Sequence, residues 1–139
     1  FKPNLYLNQL NNRVKKGYII YLDDDDAFSS TNSLEIISKH VKPNTLLFWR
    51  VKFPNGVVIP EDAYFGKPPV INHISGIGFS FHVSFVKNSI WDGFKGGDYA
   101  VATKLYKAIK KKVYLNKVLT KLQREEGYGG WGNRDDLKS

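Results

Sequence analysis

The sequence contains no cysteine and no methionine, and it has no long apolar run. Without cysteine, these residues cannot form a disulfide framework, supply a thiol nucleophile or bind zinc through thiolates. No apolar stretch approaches the roughly 20 residues that a transmembrane helix needs. What is present is typical of a globular domain, because 42% of the 139 residues are apolar and 14% are aromatic, which is enough to bury a core.

Positive charge is in excess, with 21 Lys and Arg against 13 Asp and Glu and a formal net charge of +8. This surplus favours an anionic partner: a nucleic acid, an acidic membrane surface or a phosphorylated small molecule. Much of it lies in "KLYKAIKKK", residues 104–112, for which a solvated helix face is the simpler interpretation. Nucleic acid is not favoured, since no RRM, zinc-finger or helix-turn-helix pattern is present. We expect a cytoplasmic location, with the lysine-rich segment as a candidate membrane-surface contact.

Apolar periodicity and capping residues predict helices in three places. The first covers residues 4–15, and the last runs from Asp98 to about Lys110. The middle helix starts at Asn32, whose side chain is expected to cap it, with Glu35 at the capping-box spacing. Its expected inner stripe is Leu34, Ile37 and Val41.

Strands are predicted over residues 18–22, 45–53 and 75–85, with a hairpin at Asn55–Gly56 and a short last strand, "KVYL". The first strand has no polar alternation, which favours a central position buried on both faces. Together these elements predict an α/β fold with a mixed sheet flanked by helices.

One domain is expected over residues 1–122, followed by a Gly-rich, charged tail over residues 123–139. Because the order of elements opens on a helix, we expect the fold to be incomplete at the N-terminus, as the second half of a larger domain.

Four consecutive carboxylates, Asp23 to Asp26, follow the first strand in "GYIIYLDDDDAF", residues 17–28. Like charges this close repel one another unless a cation shares them, and ligands of open α/β sheets bind beyond the carboxyl ends of strands. Alternate residues of an extended chain point the same way, so Asp23 and Asp25 are expected to converge while Asp24 and Asp26 diverge. Their oxygens suit Mg²⁺ or Mn²⁺, which bridge carboxylates to a diphosphate. The alternative is an acidic turn that caps a backbone amide.

A further carboxylate, Asp98, stands at a predicted helix start directly after two glycines. An ordinary N-cap would explain it. A carboxylate on a Gly-rich loop that faces a cleft is also suited to act as a general base, because it can accept a proton from an attacking hydroxyl.

Taken in order, "GYIIYLDDDDAF" and "WDGFKGGDYAVATKLYK" (residues 91–107) resemble two motifs of glycosyltransferases with the Rossmann-related GT-A fold. The closest resemblance is to the large inverting family that uses nucleotide-diphospho-sugars. The first stretch is similar to that family's strand and LDxDD motif. The second is similar to its "GFxxxxEDxxLxxRL" segment, with Gly97 in place of the usual Glu. The family's first strands, which bind the nucleoside, have no counterpart in the matched residues.

The resemblance implies that a divalent metal, Mn²⁺ or Mg²⁺, assists transfer of a sugar from a UDP- or GDP-linked donor to a glycan hydroxyl, with inversion. It implies that Asp25 holds the metal, with Asp23 and Asp26 close to it. Asp23 and Asp24 are then expected on the donor side. Asp98 is the implied catalytic base.

Three other residues receive expectations from the same resemblance. Arg124, on the Gly-rich tail, is expected to close over the donor diphosphate as a lid, with a solvated charge as the alternative. Trp91 is expected to offer an aromatic face to the acceptor sugar, with core packing as the alternative. Gly97 is placed on the acceptor side.

Two other classes of function stay open. Paired carboxylates at a strand end also hold metals in phosphoryl or nucleotidyl transfer, and the positive charge would then face nucleic acid. A non-catalytic binding module could keep the fold without the chemistry. Among the remaining polar residues, Glu61 and Asp62 are predicted in a surface loop, and His73 and His82 are too far apart in sequence for a local metal pair.

Overall fold

The computed structural model describes residues 8–91 and 97–123, in which strands and helices alternate along the chain. The strands are β1 (Tyr18–Ile20), β2 (Asp26–Phe28), β3 (Thr45–Lys52), β4 (Val58–Ile59), β5 (Phe79–His82) and β6 (Lys111–Leu122). The helices are α1 (Ser33–Ser38) and α2 (Gly97–Ala108), together with a 3-10 helix at Val83–Asn88. Residues 8–11 are also helical.

The described strands form one mixed sheet in the order β1-β5-β3-β6-β2, with β4 paired to the end of β3. β5 is antiparallel to both β1 and β3, and β6 is parallel to β3 but antiparallel to β2. Consequently β1, β3 and β6 all point the same way, and their carboxyl ends lie at one edge of the sheet. Here and below, this edge is the one formed by the ends of the strands, not by an outer strand. The coarse prediction of an α/β fold with a mixed sheet and helices is confirmed.

The sheet is curled, and the chain itself requires this. β1 and β2 are at opposite ends of the strand order, about 19 Å apart in a flat sheet with the usual strand spacing. Only residues 21–25 connect them, and the last part of this connection folds into a turn closed by a hydrogen bond from Asp26 N–H to the Asp23 carbonyl, 3.1 Å. Such a connection reaches at most about 17 Å, so the two ends of the sheet must approach each other.

β3 is buried on both faces, which explains its nearly continuous apolar sequence. On one face Leu46 and Phe48 pack in a cluster with Val101 and Leu105 of α2. On the other face Leu47 and Trp49 pack with Ile37 of α1. The predicted strand at residues 45–53 is confirmed, and helices cover both sides of the sheet.

Two other local predictions agree with the structure. Asn55 and Gly56 form the tight connection between β3 and β4, with Gly56 at φ 88° and a hydrogen bond from Phe53 N–H to the Val57 carbonyl. α2 begins next to Asp98 and buries Val101 and Leu105, as its apolar spacing predicted. Within the described residues, no helix combines the length and apolar content needed to cross a bilayer.

The first predicted helix ends earlier than expected. Of residues 4–15, positions 4–7 lie outside the described residues, and the helical residues 8–11 end at Asn11. Asn11, rather than Leu10 or Val14, faces the interior. It is 3% exposed, and its side chain accepts a hydrogen bond from Tyr21 Oη and donates to Ser89. Leu10 and Val14 remain exposed.

The second predicted helix exists, but its predicted cap and stripe are wrong in part. Asn32 precedes α1 without a capping hydrogen bond from its side chain, since its Oδ1 accepts a hydrogen bond from Ser30 Oγ instead. Leu34 is 52% exposed, whereas Ile37 is 1% exposed. In this helix of six residues the inner face is formed by Ser33 and Ile37, which lie one turn apart.

Three strand predictions also need correction. β1 has only β5 as a partner among the described strands, so it is not central. The predicted strand at 75–85 is reduced to β5, because the Gly78 N–H bonds the Ser75 carbonyl before it and a 3-10 helix capped by the His82 side chain follows it. "KVYL" lies within the twelve-residue β6, which is longer because it pairs with the whole of β3 and with the unpredicted β2.

A buried hydrogen-bond network joins β3, β6 and the segment before β5. Trp49 Nε1–H donates to Thr120 Oγ1 at 2.9 Å and to the Ile77 carbonyl at 3.2 Å. Thr120 Oγ1–H in turn donates to the same Ile77 carbonyl at 2.8 Å. Trp49 and Thr120 are both fully buried, so these polar groups depend on one another for hydrogen bonding.

Thr120→Val is therefore expected to destabilise the protein, because it removes two of these hydrogen bonds while keeping the side-chain shape. We expect a loss of about 1–2 kcal/mol in the free energy of unfolding, measured by urea denaturation. Thr103→Val is the matched control. The Thr103 hydroxyl is buried without a hydrogen-bond partner in the described part of the chain, so this change should leave stability unchanged or raise it. Equal losses for the two variants would contradict the role given to the network.

Candidate active site

The four aspartates lie at the edge of the sheet where the parallel strands end. β1 ends at Ile20, and Asp23 to Asp26 form a turn that leads directly into β2. The turn has two hydrogen bonds between its ends, one from Asp26 N–H to the Asp23 carbonyl and one from Asp23 N–H to Asp26 Oδ2 at 3.2 Å. Gln123 N–H also donates to the Asp25 carbonyl at 3.1 Å, so the turn is fixed to the end of β6.

Three of the four carboxylates come together in this turn. Asp23, Asp25 and Asp26 each present an oxygen within 4.8 Å of the other two. The expectation that Asp26 would diverge from Asp23 is wrong, because the strand ends before the aspartates and the turn brings Asp26 back toward Asp23. Asp24 is exposed at the turn and is not part of this group. We call Asp23, Asp25 and Asp26 the acidic triad.

Asp98 lies at the same edge of the sheet. Its Oδ2 accepts a hydrogen bond from the Gly76 N–H at 2.7 Å, which ties the start of α2 to the segment preceding β5. The pairing of Ile20 with Ser80 is antiparallel, so residues after Ile20 run beside residues before Ser80. This register brings Asp23 and Gly76 to one end of the β1–β5 pair.

Gly76 is a residue of the candidate site that the sequence analysis missed. A Cβ atom at this position would lie 3.0 Å from Trp91 Cη2 and 3.3 Å from both Cγ and Oδ2 of Asp98. A side chain would therefore displace the carboxylate or the indole. The available signal was a glycine within an apolar strand pattern, which indicates close approach of another group to the backbone.

The environment of Asp98 makes its ionisation less favourable than that of an exposed aspartate. Burial raises the pKa of Asp98 above its ordinary value, because a buried carboxylate loses hydration. The hydrogen bonds from the Gly76 and Asp98 backbone N–H groups oppose this shift by stabilising the anion, and the negative charge of Asp23 adds to it.

The remaining predicted site residues, Trp91, Gly97 and Arg124, differ in how far the structure bears on their expected roles. Trp91 is 2% exposed and its ring packs edge-on against Tyr21, with centroids 5.2 Å apart. Stacking on a sugar requires an exposed face, so the structure supports the packing alternative for Trp91. Gly97 is buried as the first residue of α2, and its acceptor role stays a prediction. Arg124 lies outside the described residues, as does the rest of the tail after Gln123.

The polar residues of the loop after β4 form their own contacts. Asp62 pairs with Arg50 at 2.7 Å, and Glu61 Oε2 lies 2.8 Å from His73 Nδ1. Asp62 is exposed and Glu61 is partly buried, which agrees with the predicted surface loop. His82 Nδ1 lies 2.8 Å from Ser84 Oγ, so the two histidines are engaged in separate local contacts.

The acidic triad offers the oxygen ligands that a hard divalent cation prefers. Three carboxylate oxygens at this spacing suit Mg²⁺ or Mn²⁺, which take oxygen ligands and retain positions for water or phosphate. The triad is partly exposed, so a diphosphate could reach a cation there. Clusters of exposed acidic groups also occur without a metal.

Comparison with known proteins adds no relative to this picture. No protein-family model matches the chain, and the search of curated proteins also gives no match.

The raised pKa of Asp98 predicts a specific pH dependence of stability. Between the unfolded value, near 3.8, and the higher folded value, the native state binds more protons than the unfolded state. Stability should then fall as pH rises through this window and stay reduced above it. Asp98→Asn should remove this decrease and raise the melting temperature at pH 7, measured by thermal unfolding in EDTA.

Glu35→Gln serves as the control for that measurement. Its carboxylate is exposed and forms an ion pair with the exposed Lys39, an interaction that contributes little to stability. This variant should keep the pH profile of the parent protein. A profile unchanged by Asp98→Asn would show that Asp98 is not held in an unfavourable ionised state.

Proposed function

We propose that this chain is part of a metal-dependent glycosyltransferase with the GT-A fold, which transfers a sugar from a nucleotide-diphospho-sugar to a hydroxyl group with inversion. The observation that carries the proposal is the presence of the acidic triad and Asp98 at one edge of the sheet. Asp23 belongs to the triad and its charge acts on Asp98. The two motifs behind the resemblance are distant in sequence, and both place a carboxylate at this edge of the sheet.

In this proposal Asp98 is the general base. The acceptor hydroxyl gives its proton to the Asp98 carboxylate as its oxygen bonds to the anomeric carbon. The bond from that carbon to the nucleoside diphosphate breaks, and the diphosphate leaves with the electron pair. A base with a raised pKa serves this step well, because proton transfer is most effective when the pKa lies closer to the working pH. Gly76 N–H fixes the carboxylate for the reaction.

The acidic triad is assigned to the donor side. Asp25, Asp23 and Asp26 would hold Mn²⁺ or Mg²⁺, which when bound stabilises the negative charge of the departing diphosphate. Asp24 is exposed in the same turn and is proposed to contact the donor. Arg124 is retained as a proposed donor contact on the basis of its sequence position alone. The nucleotide is uridine or guanosine diphosphate by resemblance, and the acceptor is a glycan.

Metal binding tests the triad without requiring a donor or an acceptor. Asp25→Asn should abolish binding of Mn²⁺, followed by the EPR signal of the free ion, because it removes one of three converging carboxylates. Asp24→Asn is the matched control, since it removes the same charge from the same turn but not from the triad. It should weaken binding only a few-fold. Equal affinity of the parent protein and Asp25→Asn for Mn²⁺ would count against the proposal.

Asp98→Asn should separate binding from chemistry. In the presence of Mn²⁺ it should keep the stabilisation against heating that a UDP- or GDP-sugar provides, while the rate of sugar transfer falls by about 10²–10⁴-fold, the range for loss of a general base. Salt-sensitive binding of oligonucleotides, with no stabilisation by either nucleotide sugar in the parent protein, would instead favour phosphoryl or nucleotidyl transfer.

A further inference from the structure

A second surface of the chain carries exposed aliphatic side chains that the proposed function does not use. Leu10, Val14 and Ile90 are 38%, 36% and 48% exposed. They come from two segments that the structure holds together. The Asn8 side chain bonds the backbone N–H and carbonyl of Trp91, and the Asn11 side chain bonds Ser89. The three aliphatic residues therefore lie on neighbouring segments.

Exposed cations lie on the same segments as these aliphatic residues. Lys104 Nζ donates to the Ile90 carbonyl at 3.3 Å, and Val83 N–H donates to the Gly17 carbonyl, which brings the 3-10 helix beside the chain that follows Val14. Residues 8–22 and 83–91 contain no Asp or Glu. The exposed cations on these segments and on the adjacent face of α2 are Arg13, Lys15, Lys16, Lys87 and Lys104.

We propose that this surface, which carries Leu10, Val14 and Ile90 and five exposed cations on the same or adjacent segments, binds membranes that contain anionic phospholipids. Lysines near an anionic bilayer gain electrostatic attraction, and aliphatic side chains gain when they enter the boundary between headgroups and acyl chains. Nucleic acid is the less suitable partner, because a phosphate backbone engages the cations but gives exposed aliphatic side chains no apolar environment.

The position of the acidic triad is compatible with membrane binding through this surface. Lys15 and Lys16 precede β1, and Lys87 follows β5, so these cations lie at the edge of the sheet opposite to the acidic triad. β1 alone separates the two edges by about 10 Å. The anionic bilayer would therefore face the cationic edge, and the repulsive carboxylates would point away from it.

Vesicle co-sedimentation of the full chain tests the proposal. We expect the protein to sediment with vesicles of phosphatidylglycerol and phosphatidylcholine at low salt, and not with vesicles of phosphatidylcholine alone. The double variant Lys15→Gln, Lys16→Gln should lower the partition coefficient about 25-fold, since each lysine near the surface contributes about fivefold. Ile90→Ser should lower it several-fold through loss of apolar contact.

Matched controls distinguish this surface from the general positive charge of the protein. Lys117→Gln, Lys121→Gln removes two charges from β6, and Ile71→Ser alters an aliphatic residue that is 53% exposed elsewhere. Both should leave the partition coefficient within twofold of the parent value, with thermal unfolding used to check that every variant is folded. The proposal is overturned by absence of binding to anionic vesicles. It is also overturned if the β6 double variant and the Lys15→Gln, Lys16→Gln variant lower the partition coefficient equally. Tight oligonucleotide binding insensitive to Ile90→Ser, with no vesicle binding, would identify a nucleic-acid surface instead.

Discussion

The structure depends on the burial of β3 on both of its faces and along both of its edges. Leu46 and Phe48 face one helix while Leu47 and Trp49 face the other. β5 and β4 pair with one edge of β3, and β6 pairs with nearly its whole length on the other. Every described strand except β1 and β2 therefore contacts β3 directly. The directions of β5 and β6 relative to β3 then determine which residues share an edge of the sheet.

The candidate site is a consequence of that arrangement. Because β1, β3 and β6 run in parallel, the turn after β1 lies at the edge where β6 ends, and the Gln123–Asp25 hydrogen bond joins them there. Because β5 runs the other way, the residues before it reach the same edge and bring Gly76 to Asp98. Two pairs of residues that are distant in sequence, Asp25 with Gln123 and Gly76 with Asp98, are thereby joined at this edge.

The sequence allowed the central features to be predicted, because they are encoded locally. β3 has an unbroken apolar run, α2 has a regular apolar spacing, and Asn55–Gly56 has the chemistry of a tight turn. Asp23, Asp25 and Asp98 were selected because each lies beside a strand or helix that the local sequence predicts. A ligand site near Asp23 and Asp25 was expected from the rule that ligands bind at the carboxyl ends of strands.

What could not be predicted depends on contacts between distant residues. β2 is three residues long and exists because β6 extends to pair with it. Leu34 and Ile37 are equally apolar, and only the position of α1 on the sheet decides which is buried. For Trp91 both a sugar-stacking role and core packing were open, and Tyr21 and the absent side chain of Gly76 create the space that its ring fills. Such choices need the tertiary structure.

The curl of the sheet gives the aspartate turn a mechanical role. It is the short strap between the first and last strands of the order, so it holds the two margins of the sheet toward each other. The length of this turn and the curvature of the sheet are therefore a single coupled property.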